Sequence, residues 1–159
     1  PGNLYTFRWD RKPRWFPGCK DIVEGAVNGK DEQERKTKSE ELCSNTWAVA
    51  LEVSAACDYA QKKGQSARFL SGVVVPTSFL AHLNRRSQFL KVIGPLALKP
   101  RVIPNGVYSL VLTSRHVASI DGAAGGLRRQ FARLRAEALA DVQSWLAYQV
   151  GRQGMTLLR

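Results

Sequence analysis

"TWAVALEV", residues 46–53, places six apolar residues in eight and stops at the polar Ser54. A short run of aromatic and branched side chains, bounded by polar breaks, reads as a buried strand. Two further blocks repeat the character. "ARFLSGVVVPTSFL" (67–80) is rich in Val, Leu and Phe, and "VYSLVLTS" (107–114) alternates apolar with small polar residues. Gly64, Gly94-Pro95 and Pro104-Asn105-Gly106 punctuate the blocks with turn signals. Pro76 belongs at a strand end or edge, because it has no N–H for a ladder.

Working outward, "CKDIVEGAV" (19–27) reads as a short strand through Ile22 and Val23. "NGKDEQERKTKSEE" (28–41) has no aliphatic side chain and reads as a solvated polar loop. "FLAHLNRRSQFLKVI" (79–93) fits either a short amphipathic helix or another strand. At the end, Leu127, Phe131, Leu134, Ala138, Val142 and Trp145 recur at helical spacing. Gly125-Gly126 stands before them and Gly151 after, so a helix is predicted over 127–150. Arg128 and Arg129 would lie in its first turn, where the helix dipole disfavours cations, a placement that hints at an external anion. Short strands followed by one long helix predict a mainly β fold with α, a compact barrel or strongly bent sheet covered by the helix. The domains expected are an aromatic and basic N-terminal arm (1–18), a β-barrel core (19–121) and a C-terminal helix and tail (122–159).

The 159 residues are the size of one domain, and 44% apolar with 23% charged residues is an ordinary soluble balance. No apolar run reaches the roughly 20 residues that cross a bilayer, and no signal peptide is visible, so no membrane partner is expected. The chain opens on Pro1-Gly2, which leaves room for neighbouring domains of a longer polypeptide. Three cysteines without a repeat spacing argue against a disulfide framework and predict a cytoplasmic protein. Twenty-four Lys and Arg against 13 Asp and Glu give a net charge of +11. Such an excess favours a polyanion, RNA or DNA, because each cation set on a phosphate releases counterions; an acidic protein is the other partner it fits. The arm interleaves Tyr5, Phe7, Trp9, Trp15 and Phe16 with Arg8, Arg11, Lys12 and Arg14. That composition suits a single strand, with rings to stack on and charge for the backbone, and equally suits aromatics that cover a core edge.

Candidate chemistry is sparse. Cys19, Cys43, Cys57, His82 and His116 lack the close spacings of structural zinc, so no metal is expected. "DGAAGGL" (121–127) lacks the Lys and Ser/Thr of a phosphate loop, and no cofactor is expected. Cys57 and Asp58 follow the 46–53 strand as a possible functional loop. Cys57 fits an inward-packed thiol, and Asp58 fits a turn cap before the basic Lys62-Lys63. His116 beside Arg115 is the best-placed acid/base candidate, a proton carrier next to a phosphate-binding cation. Lys62, Lys63, Arg68, Arg115, Arg128 and Arg129 are the candidate phosphate contacts.

Four segments carry a resemblance. "KDIVEG" (20–25), "VALEVS" (49–54) and "VVVPTS" (73–78) resemble strand motifs of the MazF/PemK toxin ribonucleases, and "SRHVASID" (114–121) resembles the segment before that family's final helix. The resemblance implies an SH3-like barrel with a long C-terminal helix and endoribonuclease activity. It also implies a toxin–antitoxin setting, with an antitoxin as protein partner, and a homodimer. It places Thr77 in a catalytic role, with Arg68, Arg115 or His116 as substitutes, since the family's arginine ahead of the 49–54 strand is absent here: Ser44, Asn45, Thr46 and Trp47 stand there instead. The leading expectation is a nucleic-acid-binding barrel module, a diverged endoribonuclease of that kind. The alternative is a protein-interaction or sensing domain within a larger bacterial regulatory or phage-defence protein.

Overall fold

In the computed structural model, residues 2–7, 17–23, 25, 27–54, 66–84, 87–97, 103, 106–121 and 127–152 are described. Six strands make one antiparallel sheet, curled into a half-barrel. They are β1 (Asn3–Phe7), β2 (Trp47–Glu52), β3 (Ser66–Pro76), β4 (Leu90–Ala97), β5 (Val107–Asp121) and β6 (Leu127–Arg133), in the order β4-β5-β3-β2-β1-β6. The helices are α1 (Pro17–Val23), α2 (Glu32–Ser44) and α3 (Ala136–Arg152), with a 3-10 turn at Thr77–His82. No helix among the described residues is long and apolar enough to cross a membrane.

The three apolar blocks form adjoining strands, and β3 lies in the middle of them. Side chains of a strand alternate between faces, and both faces of β3 are buried. Leu70 and Val74 join Val49, Leu51, Leu110 and Leu112 in one core. Val73 and Val75 join Val111 and the helical residues Cys19, Ile22, Val23 and Leu42 in the other. Burial on both sides explains why the run Val73–Val75 is continuous rather than alternating. α3 covers the first core with Val142, Leu139, Trp145 and Leu146. Lys91 Nζ meets Asp141 Oδ2 at 2.7 Å, and Gln143 Nε2 donates to Val53 O at 3.1 Å, so the helix is tied to β4 and to the end of β2.

Four sequence expectations are corrected. Residues 19–23 are helical: Pro17 opens α1 with its φ already set, and Cys19, Ile22 and Val23, three and four apart, bury one face. The expected polar loop at 28–41 is largely α2. Asp31 caps it by accepting from Glu34 N at 2.7 Å, and Lys38 and Glu34 pair one turn apart at 2.6 Å. That lysine, and after it the Lys30 N–H, holds the Glu34 carboxyl below the usual range. The helix needs only Leu42 and Cys43 to dock, at its last turn, with Ser39 Oγ donating to Val23 O at 2.9 Å. Residues 127–133 are strand β6, not the start of the helix, because β1 offers them a free ladder edge; the helix begins at Ala136. Within the expected N-terminal arm, Asn3–Phe7 is part of the sheet as β1, between β2 and β6, and residues 8–16 lie outside the described residues. The segment left open at 79–93 divides into the end of the 3-10 turn and the start of β4.

Gly72 stands where a Cβ would lie 2.7 Å from Leu112 Cδ2 and 2.8 Å from Val111 O. Gly72→Ala is expected to cost about 1–3 kcal/mol by overpacking, read as a lower urea midpoint at unchanged slope; unchanged stability would contradict this packing. Asp31→Ala, on an exposed cap, should cost about 1 kcal/mol in the same assay.

Candidate functional site

The register of β3 with β5 jumps between Leu70↔Val117 and Gly72↔Leu112. Four β5 residues, Thr113 to His116, therefore stand opposite the single Ser71. A bulge of this kind bends the strand and re-aims its side chains, and Arg115 and His116 are the residues it turns out of the ladder. The bend is braced locally. Arg115 N donates to Thr113 Oγ1 at 3.3 Å, and Ser114 N donates to Phe89 O at 3.0 Å.

Across from the bulge stands Asp21 of α1. His116 Nε2 lies 2.9 Å from Asp21 Oδ2, and Arg115 Nη1 lies 3.8 Å from the same oxygen. The carboxylate thus fixes the imidazole and holds the guanidinium at its side. All three side chains are a third to a half exposed, so the attraction is screened and the value of the cluster is orientation. The Arg115 guanidinium sits 4.3 Å from the centroid of the Phe89 ring. Asp21, Arg115, Phe89, Thr113, Ser87 and Gln88 line a mostly polar open cleft of about 300 Å³. A carboxylate-oriented imidazole can take or give a proton, and an arginine beside it can neutralise a phosphate oxygen.

α1 is placed for this by Cys19, whose Sγ donates to Gly72 O at 3.2 Å from a fully buried position. Burial pushes the thiol up to about 12, partly offset by a backbone hydrogen bond at Val49. It is a packing group, not a nucleophile.

Of the expected catalytic residues, the structure brings Arg115 and His116 together and leaves Thr77 elsewhere. Thr77 follows Pro76, which pairs with Tyr108 five strand positions from Ser71, or about 17 Å along the sheet. Its hydroxyl lies 3.0 Å from Ser109 Oγ. The β3–β5 register therefore separates Thr77 from Arg115 and His116. Arg68 is exposed on β3 opposite Ser119, on the far side of the bulge from Thr77. Arg128 and Arg129 belong to β6 rather than to a helical turn. Cys57, Asp58, Lys62 and Lys63 lie outside the described residues. His82 packs edge-on to Phe79, with ring centroids 5.3 Å apart. Among the described residues, no three His, Cys, Asp or Glu side chains gather as metal ligands. Asp21 and Phe89 were not singled out from the sequence. Asp21 is 95 positions from His116, and only the docking of α1 on β3 and β5 joins them.

Ionisation of Cys19 gives a pH test. The unfolded thiol ionises near 9.0 and the folded one near 12, so above 9 the unfolded state binds fewer protons. Stability should then fall by up to about 1.4 kcal/mol per pH unit from this group. Cys19→Ala is expected to flatten the decline of the urea midpoint between pH 8.5 and 10.5; an identical slope in the variant would contradict the burial. Comparison with protein families, with curated proteins and with solved structures finds no match to this chain.

Proposed function

We propose that the chain is a nucleic-acid-binding module that contacts a strand at the β5 bulge through Arg115, with His116 and Asp21 beside it. The observation that carries this reading is the guanidinium held at a polar cleft on a chain of net charge +11. In sequence, Arg85 and Arg86 are flanked by the cleft residues Asn84 and Ser87. A cationic excess of this size suits a polyanion, whose phosphates make most of the affinity.

A second reading is favoured by the 2.9 Å contact of His116 with Asp21. An oriented imidazole beside an arginine has the parts for transferring the proton of a ribose 2′-hydroxyl and neutralising the phosphate it attacks. In this reading the chain is a diverged endoribonuclease, and the curled sheet is an SH3-like barrel of the MazF/PemK kind. Support comes from three of the four resembling segments, which fall on or run out of β2, β3 and β5; the fourth, 20–25, begins within α1. Localisation in the cytoplasm and an antitoxin or second copy as partner belong to the same reading.

Fluorescence anisotropy with short RNA and DNA oligonucleotides tests the first reading. Binding should fall steeply from 50 to 200 mM salt, Arg115→Ala should weaken it and reduce the salt slope by about one, and Asp21→Asn should strengthen it. Absence of binding at low salt would end this reading and leave a protein-interaction or sensing role. For cleavage, His116→Ala should abolish RNA degradation while Thr77→Ala leaves it intact; degradation by His116→Ala at the wild-type rate refutes the assignment.

A further inference from the structure

We infer that Arg115 and Phe89 form a stacking platform for one unstacked nucleobase, with Gln88 placed to read its edge. This rests on the nucleic-acid reading above and adds which part of the strand the cleft holds. A guanidinium that serves only a phosphate needs no aromatic support. Here it lies 4.3 Å from the Phe89 ring centroid, while about half of the Arg115 side chain stays exposed. A ring-backed guanidinium presents an extended flat surface, and bases stack on arginine planes as they do on aromatic faces.

The platform is held on every side the structure shows. Asp21 Oδ2 steadies the guanidinium at 3.8 Å. The Phe89 carbonyl accepts from Ser114 N at 3.0 Å, joining the ring's own backbone to the bulge that carries Arg115. Gln88 and Phe89 are the two central residues of a tight turn closed by Leu90 N donating to Ser87 O at 3.1 Å. Gln88 is exposed beside the platform, and its amide both donates and accepts, as the edge of a base requires. At about 300 Å³ the cleft is at the small end of ligand sites. It suits a single planar ring system.

The test compares a short fluorescent 2′-O-methyl RNA with an abasic strand of equal length, both at low salt. The base-bearing strand should bind about tenfold more tightly. Arg115→Lys, which keeps the charge and loses the plane, should erase that preference while retaining the steep salt dependence. Phe89→Leu should do likewise, and Gln88→Ala, at an exposed turn, should level the ranking among homopolymers. Thermal melts establish that each variant is folded. Equal binding of both strands by the wild type overturns the platform and leaves nucleic-acid binding standing. Binding of neither overturns both. A folded Arg115→Lys protein that keeps the base preference, or Gln88→Ala with the wild-type ranking, also refutes the inference.

Discussion

The hydrogen bond from the Cys19 thiol to the Gly72 carbonyl is the joint on which the molecule turns. Gly72 lies in the central strand, and its missing side chain lets β3 close against Leu112 and Val111. Its carbonyl accepts from the Cys19 thiol of α1. The same residue is the first paired position beyond the β5 bulge. One glycine therefore couples three things: the close packing of the core under α3, the docking of α1, and the phase of the strand that carries Arg115. Asp21 reaches His116 because Cys19, two residues earlier on the same helix, is fixed to that point.

How much of this was legible follows from where the physics is local. Val73–Val75 and Trp47–Glu52 read as strands because burial on a sheet demands branched and aromatic side chains in short runs, a property each segment carries by itself. α2 was not legible from apolar content, since its stability lies in its Asp31 cap, its Glu34–Lys38 pair and a few docking contacts between Ser39 and Cys43. Leu127–Arg133 misleads for a different reason. Its apolar residues suit a helical stripe continued by Ala138 and Val142, and only the open edge of β1, 120 residues away, selects the strand. The site was half legible. Arg115 and His116 are neighbours in sequence, whereas Asp21 and Phe89 join them only through tertiary packing.

Two cations of the framework are held by carboxylates, Lys91 by Asp141 and Lys38 by Glu34. Arg115 instead shares the Asp21 carboxylate with His116, at the bulge of β5 beside the cleft. Arg68 on β3 is another exposed strand cation, away from that cleft.

That bulge has a consequence for how such a protein can change over generations. Arg115 and His116 pair with neither β3 nor β4, so the ladder registers do not depend on which side chains stand there. Replacements at these two positions can alter the chemistry of the cleft without disturbing either core. The fold thus separates the residues under selection for stability from those under selection for what is bound, and one unchanged frame can serve a succession of ligands.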